Sequence, residues 1–109
     1  MKKDYSLEEI EWRDIPDFDK YECSEYGDVR NKRTGHIFKQ SLSEHNPRRV
    51  NLTRGGVQYV LMTHRIVAAC FHPDYNQEKE FEFIDGDPNN CHWQNIRITN
   101  RWKWTLGLF

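Results

Sequence analysis

An α+β fold is the class this sequence predicts, and three observations carry it. Short alternating runs broken by tight-turn pairs fill residues 12–62, and one helical stripe follows at residues 64–71. Alternation then returns at residues 80–84 and again at 96–98. A small antiparallel sheet is therefore expected first, with a helix and further strands behind it.

Residues 1–10 are polar, Leu7 and Ile10 offering one short amphipathic turn, and read as a flexible arm. From Trp12 the pattern changes. Tyr21 and Cys23 alternate with Glu22 and Ser24, the period of a half-buried strand, and Tyr26-Gly27-Asp28 turns the chain into Val29-Arg30-Asn31. Thr34-Gly35 marks a second turn, after which Ile37 and Phe38 are expected to begin another strand. Residues 43–47 read as a loop. Residues 49–54 and 57–62 then predict a hairpin closed by Gly55-Gly56.

Thr63 is expected to cap a helix that begins near His64. Ile66, Val67, Cys70 and Phe71 share one face of it, and Pro73 ends it. This is a packing stripe, and His64 is expected to be structural as well. In residues 80–84, Phe81 and Phe83 fall on one face and Glu80 and Glu82 on the other. Asp85-Gly86-Asp87-Pro88 is a turn, Asn89-Asn90 a polar loop, and residues 92–95 a short helical turn before Ile96 and Ile98. The last residues include Trp102, Trp104, Leu106, Leu108 and Phe109, an apolar stretch suited to docking on a core or on another surface.

At 109 residues, 37% hydrophobic and 14% aromatic, the chain suits one compact domain or two small modules sharing a core. No apolar run approaches the roughly 18 residues of a spanning helix, so no membrane is expected and a cytoplasmic location is. Cys23, Cys70 and Cys91 are too few and too scattered for a disulfide framework. Cys91-His92 and His72 match no zinc spacing.

The net charge of −1 conceals a segregation. Residues 1–28 hold four Lys/Arg and ten Asp/Glu, whereas residues 29–65 hold eight Lys/Arg and one acid, Glu44. Residues 66–90 turn acidic again, with Lys79 against six carboxylates, and residues 91–109 carry Arg97, Arg101 and Lys103 with no acid. A basic face follows from that layout, and phosphates are its natural partner. Arg30, Lys32, Arg33, Lys39, Arg48, Arg49 and Arg54 are the candidates for meeting phosphates, and the resemblance described next makes DNA the expected carrier of those phosphates.

Three blocks in order resemble a known family. Glu11-Trp12-Arg13-Asp14-Ile15 with residues 21–30 is similar to the small β module that precedes many HNH endonuclease domains of the phage and intron homing type. There a Trp-x-x-Ile start leads into a Tyr-x-Val-Ser-x-x-Gly-x-Val-Arg strand-turn-strand, and Cys23 stands at the usual Val. His64-Arg65-Ile66-Val67-Ala68-Ala69-Cys70-Phe71 resembles the family's joining helix. Residues 80–90 with Asn95-Ile96 resemble its core. The resemblance implies a β module over residues 11–62 and a ββα-metal (HNH) hairpin-loop-helix unit over residues 63–109.

It also implies a chemistry. The family's histidine activates water, a neighbouring Asp binds one divalent ion, a middle Asn braces the loop, and a last Asn or His closes the metal site. Here Glu82 takes the Asp position, Phe83 the position of the base, and Asn95 that of the middle Asn. The last ligand falls near Lys103 or Trp104, neither of which suits a hard cation. His92 or His72 as surrogate base, and Asp85 or Asp87 as extra metal ligand, are the available substitutes.

The expectation is a catalytically impaired family member that binds double-stranded DNA and needs no cofactor, or Mg²⁺ or Mn²⁺ if nuclease activity survives. An active nicking endonuclease is the alternative. A second alternative is a phage-type protein in a bacterial host cell that inhibits a host nuclease or defence complex, with Trp102 and Trp104 in the contact.

Overall fold

The computed structural model describes residues 10–40 and 47–102, with side chains up to Thr99. Strands β1 (Trp12–Ile15), β2 (Phe18–Ser24) and β3 (Val29–Asn31) form an antiparallel sheet in that order. Strands β4 (Arg49–Arg54) and β5 (Val57–Met62) form a hairpin that runs into helix α1 (Thr63–Phe71). Strands β6 (Lys79–Phe83) and β7 (Ile96–Trp102) pair antiparallel, with one 3₁₀ turn, Trp93–Asn95, before β7.

The first turn rests on Pro16 and Asp17. Asp17 takes a left-handed φ of 67°, a conformation its short polar side chain tolerates. Along β2 the buried Phe18, Tyr21 and Cys23 face the core. Phe18 meets Tyr59 of β5 edge-on at 5.5 Å, and the Tyr21 hydroxyl accepts the Thr53 N–H at 3.3 Å, so β2 is tied to the β4–β5 hairpin. Val50 and Leu52 of β4, Ile66, Val67 and Ala68 of α1, and Cys91 and Ile96 from the second half complete one core. Ile10 is buried too, at 8% exposure. No helix among the described residues is long and apolar enough to cross a membrane.

Two sequence expectations need correction. Ile37 makes a single bridge to Arg30 and no strand, and its side chain is half exposed. Phe38 instead packs on Tyr21, and the chain carries on so that Gln40 reaches the Gly27 carbonyl at 2.6 Å. Thr63 does not cap the helix; it is its first residue, with Met62 in the cap position and no side-chain capping bond. The Thr63 hydroxyl donates to Gln40 Oε1 at 2.7 Å, and its N–H goes to the Arg48 carbonyl. The loop before β4 thus does part of a cap's work on the orphan donors of the first turn.

Candidate nucleic-acid interface and the Phe83 position

The loop between β6 and β7 is a chain of side-chain-to-backbone bonds. Asp85 Oδ1 accepts the Asp87 N–H at 2.8 Å, and Asp87 Oδ1 accepts the Asn89 N–H at 2.9 Å. Such Asx turns are what short polar side chains offer a reversing chain. Asn95 closes the loop: its Nδ2 donates to Asp85 Oδ1 and to the Asn90 carbonyl, both at 2.9 Å, and its Oδ1 accepts the Asp85 N–H at 3.1 Å. Its own carbonyl accepts the Ile84 N–H.

Asp85 Oδ2 accepts from Asn90 Nδ2 at 2.8 Å. The Asn90 amide, the Asp87 N–H and the Asn95 amide hold the Asp85 carboxyl below the usual carboxylate range, though the group is fully exposed.

Phe83 and Phe81 both face α1, as alternation requires. The buried His64 ring lies between them, 4.7 Å from the Phe83 ring centre and 6.0 Å from that of Phe81. His64 Nδ1 is buried and finds no hydrogen-bond partner among the described residues. Burial, helped by the neighbouring Arg65 charge, lowers the His64 pKa to about 4. Phe83, which the sequence resemblance sets at the place of a base, is an aromatic contact between β6 and α1. On the other face of β6, Glu82 sits opposite Arg97 and pairs with its guanidinium.

His92 and His72 share one arrangement. Each accepts, on Nδ1, the N–H two residues on, from Gln94 and Asp74 respectively, at 3.1 Å. That assigns the proton to Nε2, which His92 directs to Glu25 Oε1 at 3.2 Å and His72 to the Ile96 carbonyl at 2.9 Å. His92 also stacks on Trp93. Both rings fasten the second half of the chain.

Among the described residues the donors do not assemble the divalent-ion site that the sequence resemblance implies. Phe83 offers none, Glu82 is paired, three N–H groups hold Asp85, and the place of the last ligand lies outside the described residues. Among the described residues no three His, Cys, Asp or Glu side chains gather as a metal cluster.

The basic candidates separate into three groups. Lys32, Arg33 and Arg54 line one cleft of about 630 Å³, between β2, the turn after β3 and the Gly55-Gly56 tip. Lys20 joins them there; the sequence reading missed it because it stands among ten acids in the first 28 residues. Lys39 and Arg49 are exposed elsewhere.

Arg30 and Arg48 are tied to partners within the fold. Arg30 is bound to Glu22 and lies 3.9 Å over the Trp12 ring, so its charge is already matched. Arg48 is turned inward, donating to Gln40 Oε1 at 2.9 Å, the Gly27 carbonyl at 3.2 Å and the Asn89 carbonyl at 3.3 Å. It joins the β module to the loop of residues 85–95. Trp102 ends β7 opposite Lys79, its side chain undescribed, and Trp104 and Lys103 lie outside the described residues.

Residues 11–53 match the NUMOD4 motif. Over 92 residues the chain is 29% identical to an uncharacterized HNH endonuclease of Acanthamoeba polyphaga mimivirus, covering 82% of this chain and 27% of that one. A solved structure of DNA binding and cleavage by the HNH homing endonuclease I-HmuI is similar over 82% of this chain and 52% of the other, with a TM-score of 0.75 and 28% identity. The chain thus spans about a quarter of the first protein and half of the second.

Proposed function

We propose that this chain, similar to HNH homing endonucleases over most of its length, has kept the binding of double-stranded DNA while losing efficient cleavage. One observation carries the binding half: Lys20, Lys32, Arg33 and Arg54 line a single cleft in the β module, against one acid there, Asp19. The Lys32 pair with Asp14 is exposed and weak, so a phosphate can replace it. Arg54 is steadied from below by the Phe18 and Tyr59 rings, both 5.0 Å away, which presents its guanidinium at modest entropic cost. Such contacts give affinity and register more than sequence choice.

Loss of cleavage rests on Phe83. A phenyl ring cannot take a proton from water, and absence of a general base costs about 100-fold to 10,000-fold in rate. His92 and His72 are poor replacements because both ring nitrogens of each are engaged.

Mobility shifts of duplex DNA across a salt series test the binding. The logarithm of affinity should fall linearly with that of salt, and Lys20→Ala or Arg33→Ala should each lower the slope by about 1. Salt-insensitive binding, or none at low salt, would sink the proposal.

A further inference from the structure

We propose that residues 103–109 of this chain occupy an apolar groove between β5, α1 and the β1–β2 turn, and so clasp the second half of the chain onto the β module. The groove has a volume of about 360 Å³, and its lining includes Ile15, Phe18 and Ile66 of the core. Val60, Met62 and Tyr75 line it too. These are three of the large apolar side chains that the described residues leave exposed, Val60 at 65%. Apolar side chains gathered around one groove mark a surface that gains by being covered.

Chain direction selects the occupant. β7 runs antiparallel to β6, and its last residue, Trp102, lies opposite Lys79. The chain beyond Trp102 is therefore carried toward Gln77 and Tyr75, which precede Lys79 and line the groove. Seven residues follow Trp102, and at ~3.3 Å per extended residue they reach ~23 Å. The nine residues of α1, which forms one wall, rise only ~14 Å, so the segment is long enough to fill the groove.

The order of its side chains suits the site. Trp104, Leu106 and Leu108 alternate with Lys103, Thr105 and Gly107, which sets the apolar groups on one face of an extended segment. β5 has β4 on one edge and, among the described residues, no strand on the other, so an extended segment can lie along Val60 and Met62. Residues 1–9 suit it less. They are mostly polar and join the chain at Ile10, before β1 and away from its Ile15 end. Seated in the groove, residues 103–109 add a fastening to the ties that Arg48 and His92 make between the two halves.

Photocrosslinking of the full chain tests the assignment. The photoreactive residue p-benzoylphenylalanine is placed at position 60, where the exposed Val60 leaves room for a larger ring. Irradiation at low protein concentration should give a cross-linked monomer whose tryptic digest joins residues 55–65 to residues 104–109. Trp104→Ala and Leu106→Asp should each lower that yield several-fold. The same photoreactive residue at Ile84, 57% exposed and beyond the end of β6 away from Lys79, should not capture residues 104–109. A cross-linked dimer from position 60 would give the groove to a second copy and overturn the proposal. Equal capture of residues 104–109 from both positions, no capture of them from position 60, or a yield unchanged by Leu106→Asp would overturn it as well.

Discussion

His64 spends its imidazole on packing, and the cost is visible in its titration. Above its ordinary pKa of 6.5 the ring is neutral whether the chain is folded or not, so it contributes no pH dependence. As pH falls below 6.5 the unfolded chain takes up a proton that the buried ring resists until about 4, and native stability drops by roughly 3 kcal/mol over that window. His64→Phe should flatten this loss, since a third aromatic ring beside Phe81 and Phe83 has no proton to gain. Thermal melts between about pH 7 and 4 check it; equal acid sensitivity in both proteins would place the effect elsewhere. The same reasoning explains Phe83. A histidine there would face a second buried imidazole, whereas a phenyl ring satisfies its surroundings with no partner to find.

Among the elements, the β6–β7 loop depends on Asn95 more than on any strand. One side chain supplies three hydrogen bonds to Asp85 and Asn90. Asn95→Ala leaves those groups to water and should destabilise the chain by about 1–3 kcal/mol, measured by denaturant unfolding. Asn95→Asp keeps the acceptor for the Asp85 N–H but sets a second carboxylate against Asp85, and should recover little. An alanine variant as stable as the parent would show the brace to be idle.

This loop was largely legible in sequence because Asx turns are local: Asp85, Asp87 and Asn90 bond residues two positions on. The β4–β5 hairpin was legible for the same reason, through alternation and Gly55-Gly56. Arg48 was not. It resembles Arg33 in every sequence property, and its partners lie up to 41 residues away. Ile37 misled because strand pattern says nothing about whether a neighbour remains to pair, and Lys20 because local acidity hid a position facing basic residues of later segments.

At the scale of the whole molecule, one of the places where the β module meets the second half is crowded. Gly27 has a φ of 95°, and a Cβ added there would come within 3.0 Å of Thr63 Cγ2 and 3.2 Å of Cys91 Cβ. Gly27→Ala therefore combines left-handed strain with overlap against α1 and the loop, and should cost about 2 kcal/mol or more, read by thermal melting. Cleft and Phe83 are separable beyond this joint, because the basic residues sit on β2, the turn after β3 and the β4–β5 tip, while Phe83 sits on β6. Binding and cutting can then be measured apart. Supercoiled plasmid with Mg²⁺ or Mn²⁺ should stay intact in the presence of wild-type protein that shifts the same DNA at low salt. Phe83→His alone should not restore nicking, since Glu82 remains paired with Arg97 and the Asp85 carboxylate with three N–H donors. Metal-dependent nicking by the wild type that Glu82→Ala abolishes would reverse this conclusion. Nicking that survives both Glu82→Ala and His92→Ala would trace to a contaminant and leave the family's site silent in this chain.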